Sequence, residues 1–242
     1  MSCGLAIFVK TPGLSPVKTR LWPAMGQRDA ETMYLMSAEA VASVAAQLRY
    51  PGGITPHWAV AEDAGLLAQA WANLPALAQG TGTLGERMHT VFKALLEGHD
   101  AAILIGADAP QLLAAQLQGA AEWLASAEQR LVLGRAADGG FWLIGANFPI
   151  ANAVWISVAY SSARTADDFV DAMAAAGDWA ELSTLHDLDT AADLRPVADA
   201  LARLAEPTPA QTRLAHWLAE LPAALLAPTA CPDSALNVSL EY

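Results

Sequence analysis

Short apolar runs alternate with longer segments of helical spacing along most of this 242-residue chain. That alternation limits the architecture more than any other feature. Leu5–Val9, His57–Ala61, Ala101–Gly106, Leu131–Gly134, Gly140–Gly145 and Glu181–Leu185 read as strands. Asp29–Arg49, Ala64–Ala72, a segment opening at Gly85 and running to Glu97, Pro110–Ser126 and Ala163–Ala176 read as helices, with a further one after Leu185. The first of these helices stops at Pro51-Gly52-Gly53. Strand–helix repeats of this kind predict an α/β fold, a three-layer α/β/α sandwich around a mostly parallel sheet. In such sheets ligands bind beyond the carboxyl ends of the strands, where the chain order reverses. Residues 1–205 carry the pattern; residues 206–242 add a helix over Thr208–Leu226 and an irregular tail, Pro228–Tyr242, expected to pack on the same domain.

Composition removes several function classes. Hydrophobic residues make up 54% of the chain and charged residues 16%, enough for a large core and too apolar for wholesale disorder. No apolar stretch approaches the ~20 residues that span a bilayer, and the chain opens directly into a strand without a charged leader, so the expectation is a cytoplasmic protein without membrane insertion. A net charge of -12 leaves no general basic face, which excludes nonspecific nucleic-acid binding. Cys3 and Cys231 lie near opposite ends with no CxxC spacing and no His set, so neither a zinc site nor a disulfide is expected.

Against that acidic background the segment after the first strand stands out. The chain has three lysines, and two of them, Lys10 and Lys18, lie in the loop Lys10–Leu21 together with Arg20. Pro12, Gly13 and Pro16 hold this loop out of regular structure. Cations and backbone N–H groups at a strand end suit a polyphosphate.

Carboxylates follow two later strands. Asp108, in Gly106-Ala107-Asp108-Ala109-Pro110, can hold a hard cation such as Mg²⁺ together with substrate phosphates, or cap the helix expected after Pro110. In Asp187-Leu188-Asp189-Thr190, Asp187 and Asp189 lie on the strand side of a helix start, where a second metal ligand fits. Asp193, three residues past Thr190, reads as part of the helix cap. Asp138 either reaches the same region or forms the Asp138-Gly139-Gly140 turn. Gln79 and Gly80, with Gly82 and Gly85, make a flexible entry to a helix N-terminus, a cradle for a phosphate, ribose or base edge, with Arg87 on its first turn as an anion clamp. Ser15, Ser161 and Ser162 have no convincing His partner, and His186 reads as a loop residue, which argues against nucleophilic catalysis.

Five motifs occur in order between Ala6 and Leu194: Lys10-Thr11-Pro12 with Pro16-Val17-Lys18-Thr19-Arg20-Leu21, Gln79-Gly80 through Gly85-Glu86-Arg87-Met88, Ile105-Gly106-Ala107-Asp108-Ala109-Pro110, Asp138-Gly139-Gly140-Phe141, and Asp187-Leu188-Asp189-Thr190. Together they resemble a family of bacterial transferases associated with radical-SAM/selenium-domain genes, of the glycosyltransferase-A or nucleotide-diphospho-sugar transferase fold. Phospholactate guanylyltransferase and the molybdenum-cofactor guanylyltransferase are its relatives. The resemblance implies phosphate contacts from Lys18 and Arg20, catalytic roles for Lys18, Arg20 and Asp108, and nucleotide binding by Lys10, Pro12, Gln79, Gly80, Gly82, Gly85, Arg87, Asp138 and Gly139. It further implies Mg²⁺ or Mn²⁺ on Asp108 and Asp189, a nucleotide or nucleotide-sugar donor, and a small-molecule acceptor of unknown identity. Glycosyl transfer is the first expectation, nucleotidyl transfer with pyrophosphate leaving the second, and nucleotide binding without turnover the third. The chain departs from the family's usual pattern at Thr83 (an acidic residue there), at Arg135 and Ala137 (Pro and Glu), and near Tyr160, where a Trp is expected.

Overall fold

The computed structural model describes residues 1–49 and 53–226. Its seven strands are β1 (Cys3–Val9), β2 (Ile54–Val60), β3 (Ala76–Ala78), β4 (Ala101–Gly106), β5 (Arg130–Ala136), β6 (Phe141–Ala146) and β7 (Asp178–Leu185). They form one sheet in the order β3-β2-β1-β4-β6-β5-β7. Only β6 runs antiparallel to its neighbours, so the mostly parallel α/β/α sandwich expected from the sequence is what the chain adopts. The helices are α1 (Trp22–Met25), α2 (Gln27–Ala46), α3 (Leu84–Gly98), α4 (Ala114–Leu124), α5 (Asn152–Ser157), α6 (Thr165–Ala172), α7 (Ala191–Ala202) and α8 (Pro209–Ala219). Among the described residues, no helix is long and apolar enough to cross a membrane.

The central strands show why the layers form. In β1, Leu5, Ile7 and Val9 enter one hydrophobic cluster with α2 and α4, whereas Ala6 enters the cluster on the other face with α3, α5 and α6. In β4, Ile103 and Ile105 take the first face and Ala102 and Leu104 the second. A strand covered on both faces needs apolar residues at successive positions, which is why these segments read as continuous runs. Full burial of each Leu or Ile contributes about 2 kcal/mol. A third cluster gathers Met33 of α2, Val197 of α7 and Leu214 and Leu218 of α8, so the C-terminal helix packs outside α2.

Several local expectations change. Ala64–Ala72 is not an α-helix but two 3₁₀ turns, Asp63–Leu67 and Gln69–Trp71, whose Trp71 Nε1 donates to Thr11 Oγ1 at 3.0 Å. That contact ties the segment to the loop after β1, and tertiary packing here overrides the helical spacing. The short strand β3 and helix α5 were not anticipated. β7 starts at Asp178, three residues before the expected Glu181. Helix α8 ends at Ala219 rather than Leu226. The Pro51-Gly52 boundary, the tail Pro228–Tyr242 and Cys231 lie outside the described residues. Cys3 is buried and free, and burial pushes its thiol up to about 12.

Candidate active site

Because β1, β4, β5 and β7 are parallel, their carboxyl ends open on one edge of the sheet. The order reverses between β1 and β4, since the chain leaves β1 toward β2 and β3 and returns to β4 on the opposite side. This is the switch point where such sheets bind ligands. The basic loop follows β1 there and Asp108 follows β4.

Asp108 is held by its backbone. Ser37 Oγ donates to the Ala107 carbonyl at 2.7 Å, and Leu188 N donates to the Asp108 carbonyl at 2.8 Å. Gln111 Nε2 donates to the His186 carbonyl at 2.7 Å, and Gln211 Nε2 of α8 donates to the carbonyls of Pro110 and Leu112 at 2.9 and 3.0 Å. The loops after β4 and β7 are thereby stitched together, which brings Asp108 to Asp187 and Asp189. Helix α4 begins only at Ala114, with Leu113 as its N-cap, so Asp108 does not cap it. The expected helix start at Pro110 is four residues too early, and the capping alternative for Asp108 falls with it.

Lys18 joins the carboxylates. Its Nζ lies 3.1 Å from Asp108 Oδ2 and 2.5 Å from Asp189 Oδ1, and its side chain is 7% exposed. Burial pulls the pKa of the ammonium down, and the charges and hydrogen bonds of Asp108 and Asp189 more than reverse this, leaving it above its ordinary value. The Lys18 backbone is left-handed, at φ 49° and ψ 40°, a conformation uncommon outside glycine. Asp187 lies beside this group. Its Oδ1 is buried without a hydrogen-bond partner, and burial, then the charges of Asp108 and Asp138, push its carboxyl well above the usual carboxylate range.

Asp193 is structural, as expected: its Oδ2 accepts from Thr190 N at 2.7 Å and Thr190 Oγ1 at 2.8 Å, at the start of α7. Asp138 serves the turn through Oδ1, which accepts from Gly140 N at 2.9 Å, and also lines a cavity with Asp187. Its neighbour Gly139 has φ 90° and leaves no room for a Cβ against the Ala163 carbonyl. Thr83, at a family-departing position, is the N-cap of α3, in a reciprocal box with Glu86. Gly80 and Gly82 have positive φ, and Gly85 is buried against the Trp155 carbonyl. Arg87 braces this loop from Nε to the Gly82 carbonyl at 3.0 Å and lines neither cavity at the site. Gln79 is buried, with Nε2 donating to the Ala59 and Val9 carbonyls. Pro12 shapes the loop without lining either cavity.

Two cavities share the walls Phe8, Leu84, Asp108 and Ser161. The polar one, about 500 Å³, is lined by Lys10, Lys18, Arg20, Tyr34, Gln79 and Asp189 among others. The apolar one, about 260 Å³, lies toward β6 and α6. Ser161, passed over in the sequence for want of a His partner, has φ 60° and borders both. Lys18 and Ser161 are the non-glycine residues with positive φ among the described residues, and strained backbone concentrates at functional sites.

Among the described residues, no three His, Cys, Asp or Glu side chains converge as a ready ligand set. What is present, two carboxylates on one ammonium and an orphaned carboxylate oxygen beside them, fits a hard cation whose shell is completed by substrate phosphates.

A family model described as an uncharacterized protein conserved in bacteria (DUF2064) matches residues 35–162, just over half of the chain. The crystal structure of a protein from Desulfovibrio desulfuricans G20, proposed to be a nucleotide-diphospho-sugar transferase, is similar at 26% identity and a TM-score of 0.78, over 93% of this chain and 97% of that one. A cytidylyltransferase from Leptospira borgpetersenii shares the fold at 12% identity and a TM-score of 0.51, over 96% of this chain and 99% of that one. A search of the curated proteins gives no match.

Proposed function

The chain belongs to the DUF2064 family, and we propose that it is a metal-dependent transferase that moves a glycosyl group from a nucleotide sugar to a small acceptor. Within the family we place it in the branch associated with radical-SAM/selenium-domain genes, on the motif order from Lys10 to Asp189, and in the cytoplasm. The observation that carries the reading is Lys18, buried between Asp108 and Asp189 at the switch point of the sheet, beside the orphaned Asp187 oxygen. The likeness to the Desulfovibrio protein supports it.

In this reading the polar cavity takes the donor. Lys10 and Arg20 face its phosphates, Lys18 supplies charge at the point nearest the carboxylates, and Gln79 and Leu84 border the nucleoside, while Gly80, Gly82 and Gly85 line neither cavity. Asp108 and Asp189 would hold Mg²⁺ or Mn²⁺, the rest of its shell coming from the donor's phosphates. The cation would neutralise charge building on the leaving phosphate. The protein's own share is positioning: Leu188, Gln111 and Gln211 fix the Asp108 loop before substrate arrives, so little reorganisation accompanies reaction. No nucleophile of the chain is assigned a covalent intermediate.

The cations Lys10, Lys18 and Arg20 around one cavity favour a second reading, nucleotidyl transfer from a triphosphate with pyrophosphate leaving. A thermal-shift screen of nucleoside triphosphates and nucleotide sugars, with and without Mg²⁺ or Mn²⁺, tests the common core. Metal-dependent stabilisation is expected, and no response to any nucleotide would sink both readings. Release of nucleoside diphosphate rather than pyrophosphate then separates the first from the second.

A further inference from the structure

The apolar cavity has a chemistry unlike that of its polar neighbour. Phe8, Leu84, Met88, Leu104, Phe141 and Trp142 give it an apolar wall, and no Lys, Arg or His lines it. Its polar atoms are mostly already engaged. Trp142 Nε1 donates to the Ser183 carbonyl, and Tyr160 OH to the Trp155 carbonyl. Thr165 Oγ1 donates to the Ala159 and Ser162 carbonyls, and Ser162 Oγ accepts from Arg164 N. Among the described lining residues, what remains open to a ligand is the Ser161 hydroxyl, the Ser162 hydroxyl proton, Asp108 Oδ1 and the second oxygen of Asp138; Asp187 borders the chamber with its Oδ1 buried and unpartnered. A chamber of this kind rewards a ligand with an apolar body and a hydrogen-bond donor at one end, and repels a carboxylate or phosphate.

We propose that this chamber is the acceptor site and that it takes an apolar, non-anionic alcohol, whose hydroxyl meets the Asp138, Asp187 and Ser161 end. The assignment rests on the transferase reading and adds the acceptor class to it. The shared wall at Asp108 and Ser161 puts the hydroxyl next to the donor cavity. In transfer, the acceptor oxygen bonds to the sugar carbon as the bond from that carbon to the leaving phosphate breaks. The bonding pair stays on the nucleoside diphosphate, and the hydroxyl proton goes to the second oxygen of Asp138. A divalent cation on Asp108 and Asp189 would be answered by the donor's phosphates. Asp138, engaged through Oδ1 to Gly140 N, leaves its second oxygen toward the acceptor.

Three probes of one frame test this: 2-phenylethanol, 2-phenylethylamine and phenylacetate, titrated by ligand-observed NMR into the whole protein with and without Mg²⁺. Binding of UDP and GDP is measured by calorimetry on the same samples. Phenylethanol and phenylethylamine are expected to bind at least about tenfold more tightly than phenylacetate, the size of one partly screened charge repulsion. Asp138→Lys should narrow or reverse that order, while Asp138→Asn, which keeps the turn-capping oxygen, should narrow it alone. Equal binding of phenylacetate, no binding of any probe, or displacement of phenylethanol by free nucleosides would overturn the acceptor assignment. If the probe order holds but no nucleotide binds, the transferase reading falls and the chamber's selectivity stands. If nucleotide binds and the order fails, the reverse is true.

Discussion

Lys18 and Arg135 each sit between two carboxylates, in very different surroundings. Lys18 bridges Asp108 and Asp189 with its side chain 7% exposed. Arg135 reaches Asp167 Oδ1 at 2.9 Å and Glu181 Oε2 at 3.3 Å with its side chain 31% exposed, and both of its partners are about half exposed. The Arg135 group pins β5 to β7 and α6 near the surface, where water screens each charge and the contribution is small. The Lys18 group withdraws an ammonium from water and holds it on a left-handed backbone, both of which cost free energy. Stability alone does not call for such an arrangement. The comparison teaches that the number of ion pairs says little, whereas burial combined with backbone strain sets the Lys18 group apart.

The contrast is broken most directly at Lys18. Lys18→Met leaves Asp108 and Asp189 facing each other without a cation, and should cost about 2 kcal/mol, below the usual range for a fully buried pair because both carboxylates keep some solvent. Urea unfolding measures that cost, and calorimetry should show nucleotide affinity falling with it. Unchanged stability would put the Lys18 group in the same class as the Arg135 group.

Asp108→Asn comes next. With the charge gone and the shape kept, Mg²⁺-dependent nucleotide affinity should fall roughly tenfold or more, with a smaller stability loss than for Lys18→Met because Asp189 still pairs the ammonium. A variant that still binds nucleotide in a metal-dependent way would reduce Asp108 to a loop residue.

A third contrast is in pH. Asp187 holds its proton up to about 9 in the folded protein, against about 4 in the unfolded chain. The folded state therefore binds more protons across that window. Its contribution is complete below about 4 and is lost as the pH rises toward about 9, so the metal-free protein should weaken over that span. Asp187→Asn should flatten the slope in melting temperature measured from pH 5 to pH 9, and an unaltered slope would remove Asp187 from the account.

Smaller effects lie outside the buried group. Asp193→Ala removes a cap and should cost about 1 kcal/mol with nucleotide affinity unchanged. Arg135→Ala should shift stability by less than about 0.5 kcal/mol in a denaturation curve and leave binding alone. A loss as large as that of Lys18→Met would end the distinction between the two groups.

Much of the fold was legible because buried parallel strands are continuous apolar runs: Leu5–Val9 and Ala101–Gly106 could be read directly. The three-residue β3 was too short to carry a pattern, and the direction of β6 depends on pairing partners that no local spacing encodes. At the site, Asp108, Asp187 and Asp189 were visible as carboxylates just beyond strands. Lys18 was visible as a cation in a loop, but not as the partner of residues 90 and 171 positions away. Ser161 and Gln211 left no signal, since one matters through its backbone angle and position and the other through a contact 101 residues distant. Thr83 and Arg135 looked like departures from the family pattern. In the structure the first caps α3 and the second ties β5 to its neighbours.

The Gln211 amide binds carbonyls of the loop after β4 from a helix that follows it by a hundred residues. On the ribosome, the strands and the loops that carry Asp108 and Asp189 emerge well before that amide does. A nascent chain still short of residue 211 has every acidic residue of the site and lacks the clasp that fixes the Asp108 loop. The fixed geometry of the Asp108 loop is thus completed only once the chain has been translated through α8.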